Sequence, residues 1–261
     1  MNIKDEGIVL KEMRFRETSK IVTILTKNHG KIQGMARGAY KPKSQLTVHT
    51  QPFSYNNYIF FKGRNFYYIN QADIIDSFYA IRENVNRVVY GYYLLELADK
   101  SIFEGDESYK LFLLLRKGLK ILSKLDKHFL KFILAYELKF ISFLGYKPLL
   151  DNCIICGEKD LKGFKFNIEY GGIVCNRCSL VESNCEYMDI SMYKAMKELI
   201  YTPLDRINGI NISKKTMFKL HDIMVKYILH KIDRKSFNSL DVLKTLNGGG
   251  GELYGHHLGD D

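Results

Sequence analysis

Four of the five cysteines fall into two Cys-x-x-Cys pairs, Cys153-Ile154-Ile155-Cys156 and Cys175-Asn176-Arg177-Cys178, with 18 residues between them. Two residues between cysteines let both thiolates turn towards one ion, and two such knuckles complete the tetrahedron that zinc prefers. Gly157 follows the first knuckle where a turn would take positive φ. Between the pairs, Phe164 to Ile168 reads as a strand and Tyr170-Gly171-Gly172 as a turn, the layout of a zinc ribbon. Four thiolates close the coordination shell and leave no position for a catalytic water, so the expected cofactor is a structural Zn²⁺. A thioredoxin-like redox pair would account for one motif and not two, and two disulfides would need an oxidising compartment. Cys185, seven residues past the second knuckle, is expected to be a bystander.

A second chemical signal is an absence. From Thr18 to Ala72 there is no Asp or Glu, whereas the chain of 261 residues carries 29. The same segment holds Lys20, Lys27, Lys31, Arg37, Lys41, Lys43, Lys62 and Arg64, interleaved with Tyr40, Phe53, Tyr55, Tyr58, Phe60, Phe61, Phe66, Tyr67 and Tyr68. Cations can track phosphates while exposed rings stack on unpaired bases. Ala36 to Lys43 is expected to be an exposed loop presenting three cations. The bland alternative is a solvated basic face over an aromatic core, because every second ring of a strand points inward. Lys31, Arg37, Lys41, Lys43, Lys62 and Arg64 are the candidate nucleic-acid contacts. The formal net charge of +10 agrees with a polyanionic partner.

Catalysis is not expected. No Gly-x-x-x-x-Gly-Lys-Ser/Thr loop and no His-Glu-x-x-His helix occurs, and the seven histidines are scattered. A metal-dependent nuclease needs clustered carboxylates along the DNA track, and the basic segment has none to offer. Val88 to Leu95 is far too short an apolar run to span a membrane. The start of the chain lacks the apolar core of a signal peptide, so cytoplasmic residence is expected.

These residues need elements to hold them. Gly7 to Leu10, Ile21 to Thr26, Lys31 to Arg37, Phe53 to Phe61 and Phe66 to Ile69 read as five short strands. Asn28-His29-Gly30 and Lys62-Gly63-Arg64-Asn65 supply turns, which together predict a small antiparallel barrel or sandwich. From Asp76 to about Leu144 the apolar spacing is helical. Val88, Tyr92, Leu95 and Ile102 are assigned to the face of a first helix. Leu111, Leu114, Leu115, Gly118, Leu122 and Leu125 define a second, and Phe129, Phe132, Ile133, Tyr136, Phe140, Phe143 and Leu144 a third. Asp106 is a candidate N-cap, and Gly145 with Pro148 ends the third helix. Helices return over Ile190 to Tyr201 and Thr216 to Ile232, the latter capped by Ser213, and a last piece ends near Leu246. The expected organisation is an N-terminal β domain over 1–76, a helical domain from 77–150 and 186–246, a ribbon insertion over 151–185, and a flexible tail over 247–261.

Five blocks carry a resemblance. They are Glu6-Gly7-Ile8-Val9-Leu10, Thr18-Ser19-Lys20-Ile21-Val22, Ala36-Arg37-Gly38-Ala39 with Lys41-Pro42-Lys43-Ser44, Gly145-Tyr146-Lys147-Pro148-Leu149, and Cys153-x-x-Cys156-Gly157. In this order the chain resembles the RecO family from about residue 1 to 240. The resemblance implies an α+β protein: an N-terminal OB-fold β-barrel, a central and C-terminal α-helical domain and an inserted four-cysteine zinc finger. It further implies a recombination mediator in DNA repair that binds single- and double-stranded DNA and anneals complementary strands. Such a protein works with RecR and the single-stranded DNA-binding protein, and so indirectly with RecA. Arg37, Lys41 and Lys43 would be DNA contacts, while Tyr40 stands where many relatives carry a further basic residue. The rival reading is a protein–protein adaptor whose basic face meets acidic partner tails.

Overall fold

Runs of β-branched and aromatic residues build five strands: β1 (Asn2–Phe15), β2 (Ser19–Thr26), β3 (Lys31–Ala36), β4 (Tyr55–Lys62) and β5 (Tyr67–Asp76). They close into a barrel in the order β1-β2-β3-β5-β4. β1 pairs antiparallel with both β2 and β4, and a short parallel pairing of β3 with β5 completes the ring. A computed structural model supplies this architecture, and it describes residues 2–64, 66–106, 108–159 and 163–247. The chain divides into two units, Met1–Leu125 and Asp126–Asp261.

The barrel interior holds Val9, Val22, Ile24, Ile32, Tyr58, Phe60 and Ile69. A Cβ on Gly7 would come within 2.5 Å of Ile24 Cγ2, so the bare glycine lets β1 approach the core closely. The register slips between Val9 and Lys11, a bulge that bends β1 from one neighbour to the other. At one end of the barrel the buried Asp5 carboxylate accepts from Asn28 N at 3.0 Å and Asn28 Nδ2 at 2.8 Å. It also meets His29 Nδ1 at 2.7 Å, which pins the β2–β3 turn. Beside it, Glu6 pairs with Lys27 at 2.7 Å and accepts from the Tyr55 hydroxyl.

The strands differ from expectation at their ends, β1 most, since it runs from Asn2 to Phe15 where Gly7 to Leu10 was expected. β5 runs on to Asp76, through Gln71 and Asp73, because pairing with β4 continues although the apolar pattern has stopped. Phe53 lies outside β4, in a turn with φ 76°. Two single-turn helices, α1 (Leu46–His49) and α2 (Tyr79–Arg82), were not legible as periodic patterns.

α3 (Val85–Ser101) starts at Asn84, whose side chain accepts from Arg87 N at 3.2 Å. Its buried residues run from Val89 through Tyr90, Tyr93, Leu94 and Leu97 to Ala98, not along the assigned stripe. Val88 is half-buried, Tyr92 is exposed and Ile102 lies beyond the helix, while Leu95 is buried as expected. The helix is covered over most of its circumference, so a single-face reading mislocates it. α4 (Tyr109–Leu122) buries Leu111, Leu114, Leu115, Gly118 and Leu122 as assigned, with Leu125 half-buried past its end. Asp106 does not cap it. Ser108 holds the N-cap position without a side-chain bond, and the Asp106 carboxylate accepts from Phe103 N at 3.3 Å.

In the second unit, α5 (Phe129–Phe143) buries Phe129, Phe132, Ile133, Tyr136 and Phe140, leaving Phe143 exposed at its end. Gly145, at φ 94°, ends it: Tyr146 N donates to Ile141 O at 3.0 Å and Gly145 N to Ser142 O at 3.1 Å. That is a Schellman motif, which needs the left-handed glycine. Strands β6 (Phe164–Asn167), β7 (Gly172–Cys175) and β8 (Cys185–Tyr187) form a sheet ordered β7-β6-β8. α6 (Ile190–Tyr201), α7 (Lys214–Lys231) and α8 (Asn238–Asn247) follow. Ser213 Oγ accepts from Thr216 N at 3.1 Å, the expected cap of α7. The tail beyond Asn247 and Asn65 of the β4–β5 turn lie outside the described residues.

Replacing Asp5 by alanine strands the donors of Asn28 and His29 and is expected to cost about 2–4 kcal/mol, read from denaturant midpoints. Glu6 adds a pH-dependent part. The Lys27 ammonium, then the Tyr55 hydroxyl, hold its carboxyl below the ordinary carboxylate range against the opposing effect of burial. A depressed folded value means its stabilisation is complete above the unfolded pKa of about 4.3 and is lost as pH falls through the folded value. Thermal melts of Glu6→Gln should therefore trail the parent at neutral pH and converge with it in acid.

Candidate nucleic-acid interface and metal centre

Folding returns carboxylates to part of the acid-free segment. Lys20, itself buried, pairs with Glu12, and Lys27 with Glu6. Lys31 donates to the Asp99 carbonyl and lies 3.5 Å from the Asp99 carboxylate. Lys31 is thus a fastening between the barrel and α3. Arg37, Lys41, Lys43, Lys62 and Arg64 have no carboxylate partner among the described residues and all five are exposed.

Two of these cations meet in one place. At the barrel end formed by the β1–β2 hairpin lies a cleft of about 460 Å³ whose lining includes Arg16, Arg37, Lys41, Phe15, Phe66 and Tyr68. The hairpin brings Arg16, with φ 58°, to one wall. The loop after β3 turns on Gly38, at φ 68°, and brings Arg37 and Lys41. The β4–β5 connection brings Phe66, and β5 brings Tyr68. The Arg37 guanidinium sits 4.4 Å from the centre of the Tyr68 ring. Beside this, Tyr40 is flanked by Lys20 Nζ at 4.9 Å and the Arg14 guanidinium at 5.5 Å.

Lys43, Lys62 and Arg64 do not line the cleft. Lys43 shares its loop with Lys41, and Lys62 lies 5.8 Å from the Tyr67 ring. Arg14 and Arg16 were missed at the sequence level. They precede the acid-free segment and lie between Glu12 and Glu17, so no local charge run marks them. Three loops converging at one end of a five-stranded barrel, with cations at the rim and rings in the wall, can take a flat apolar group and its attached anion.

The four knuckle cysteines converge as their spacing predicts. Their Sγ atoms all lie within 4.8 Å of one another, and Cys156 Sγ is 3.8 Å from Cys175 Sγ. Tetrahedral bonds of about 2.3 Å to sulfur have edges near 3.8 Å, so the donor set fits a metal ion. Gly157, at φ 75°, turns the first knuckle, and Ile154 N donates to Ile173 O at 3.0 Å, holding it against β7. Backbone donors also reach sulfur: Cys175 N lies 3.4 Å from Cys153 Sγ, and Cys178 N 3.5 Å from Cys175 Sγ. Burial pushes the Cys153 thiol up, but the backbone amides of Cys156, Cys175 and Ile155 outweigh it and bring the group down to about 6. Cys178 is pushed up to about 12, first by burial and then by sharing protons with the neighbouring sulfurs. Cys185 stays outside the cluster, on β8, where Asn167 Nδ2 lies 3.5 Å from its sulfur.

A closed OB-type barrel followed by helices and a four-thiolate knuckle defines the class of protein. Residues 1–78 match the family model for the recombination protein O N terminal, and residues 82–241 that for its C terminal. DNA repair protein RecO of Alkaliphilus metalliredigens is 34% identical over 246 residues, covering 94% of this chain and all of the relative. That of Bacillus pumilus is 33% identical over 255 residues, covering 95% of this chain and 98% of the relative. The chain belongs to the RecO family. No helix among the described residues is long and apolar enough to cross a membrane.

Proposed function

We propose that this chain is a DNA-binding recombination mediator that grips a strand at the hairpin end of its barrel without catalysing a reaction. The stacking of Arg37 on Tyr68 inside a cleft shared with Arg16 and Lys41 carries this reading. Phosphates would meet Arg16, Arg37, Lys41 and Lys43, with Lys62 and Arg64 extending the track, while unpaired bases stack on Phe66 and Tyr68. No geometry in the cleft selects one base edge, so binding is sequence-independent and salt-sensitive, to single strands and, through phosphates alone, to duplexes. Annealing follows from neutralising two phosphate backbones, which needs no nucleotide hydrolysis. Family membership supports RecR and the single-stranded DNA-binding protein as partners, with RecA loaded indirectly, in the cytoplasm at the nucleoid.

Fluorescence anisotropy of a labelled single strand at several salt concentrations tests the reading. The slope of log affinity against log salt is expected to flatten by about 0.7 for each phosphate contact removed in Arg37→Ala and Lys41→Ala. Lys31→Gln should leave the slope unchanged. A slope near zero in the parent, or one that neither cleft variant alters, would leave the basic face as an adaptor surface for acidic protein tails.

Cys153, Cys156, Cys175 and Cys178 would hold zinc, which supplies no chemistry here beyond cross-linking the knuckles. Replacing Cys175 by serine is expected to remove the metal, measured by elemental analysis, and to lower the thermal midpoint. The salt slope of strand binding should persist in the folded fraction. A variant that melts like the parent in the presence of chelator counts against a structural metal.

A further inference from the structure

The cleft does not account for all of the charge. Met1–Leu125 carries 20 Lys and Arg against 12 Asp and Glu, whereas Asp126–Asp261 carries 19 against 17. Within the first unit a second concentration lies on α4 and the turn that follows it. From Tyr109 to Leu125 there are five cations, Lys110, Arg116, Lys117, Lys120 and Lys124, and no acidic residue. At 100° per residue Lys110, Lys117 and Lys120 fall within an arc of about 80° and span about 15 Å of rise, and Lys124 follows in the turn after the helix. All four are exposed, while the opposite face is the buried one, with Leu111, Phe112, Leu115 and Leu119.

On other helices some lysines are paired with carboxylates. Lys100 on α3 pairs with Glu96 at 2.8 Å, Lys197 on α6 with Asp151 at 3.1 Å, and Lys226 on α7 with Glu186 at 2.6 Å. Lys110, Lys120 and Lys124 have no carboxylate partner among the described residues. Helix surfaces ordinarily interleave both signs, and a run of cations with no acid in its own sequence complements an extended polyanion.

Position separates this row from the cleft. α4 is anchored where β1 and β4 pair: Phe112 meets the Tyr55 ring edge-on at 6.0 Å, and Arg116 Nη1 lies 3.4 Å from the Tyr55 hydroxyl. Tyr55 stands opposite Ile8, whereas the cleft is built at the Phe15–Ser19 hairpin. Along the bent β1, seven residues lie between the two, a contour of at most about 23 Å.

We propose that α4 carries a second track for the sugar–phosphate backbone of a nucleic acid, so that one chain holds two strands at separate places on its N-terminal unit. This rests on the reading of the protein as DNA-binding, but not on the cleft being the other site. The occupant is a phosphodiester backbone without regard to sequence, because lysines at this spacing offer point charges and no base-reading geometry.

Lysine acetylation of the full chain, mapped by mass spectrometry with and without an oligonucleotide of about 12 nucleotides at low salt, tests it. At saturation, Lys110, Lys120 and Lys124 are expected to react about threefold more slowly or less, because bound phosphate shields each ammonium. The same protection should persist in the R37A/K41A variant. The K110Q/K117Q/K120Q/K124Q variant, which keeps the helix formers, should bind one oligonucleotide where the parent binds two. Unchanged acetylation along α4 at saturating oligonucleotide overturns the proposal. So does a glutamate-rich peptide that protects these lysines at lower concentration than the oligonucleotide. Protection of α4 without protection of Lys41 supports it while removing the cleft from the function.

Discussion

Strand β1 pairs with β4 along its first half and with β2 along its second, and this double engagement turns short strands into a closed barrel. The bulge near Val9 and the absent side chain of Gly7 make it possible, since a strand serving two neighbours must bend and approach the core closely. Everything at the two barrel ends depends on it. One end is closed by the Asp5 carboxylate and its Asn28 and His29 partners. The other is left to loops, where Arg16, Arg37, Lys41 and Tyr68 can converge because no strand continues there.

Charge is distributed by the same architecture. Along the sequence, the acid-free segment looks uniformly basic. In three dimensions Glu6, Glu12 and Asp99 arrive from neighbouring elements and pair with Lys27, Lys20 and Lys31. Ion pairs at partly buried seams fasten elements together, and the same cations left at loop tips remain available to a polyanion. The difference between Lys31 and Lys41 is therefore one of address and not of residue type. Arg37 gains a further role from its ring partner, since a guanidinium stacked on tyrosine is held in place without being neutralised.

The knuckle module obeys a different economy. A three-stranded sheet of strands three and four residues long has little core of its own, and a metal held by the four thiolates would supply what apolar burial cannot. Backbone N–H groups aimed at Cys153 and Cys175 sulfur prepare the thiolates for it. With all four donors given to a metal, the module would have the chemistry of a brace.

Local rules determined much of this protein from its sequence. The cysteine spacing specified the cluster because two-residue knuckles leave the thiolates few other arrangements. The strands of the barrel, the N-cap at Ser213 and the left-handed glycine at Gly145 followed from nearest-neighbour chemistry in the same way. Features that depend on distant partners were not legible. The broad burial of α3, the extension of β5 to Asp76 and the failure of Asp106 to cap α4 each depend on what packs alongside. The site divides along the same line: which residues carry charge is written in the chain, but which charges stay unpaired is decided by carboxylates from other elements. Arg16 joins the cleft only because a hairpin folds it there, and no one-dimensional count of charge can register that placement.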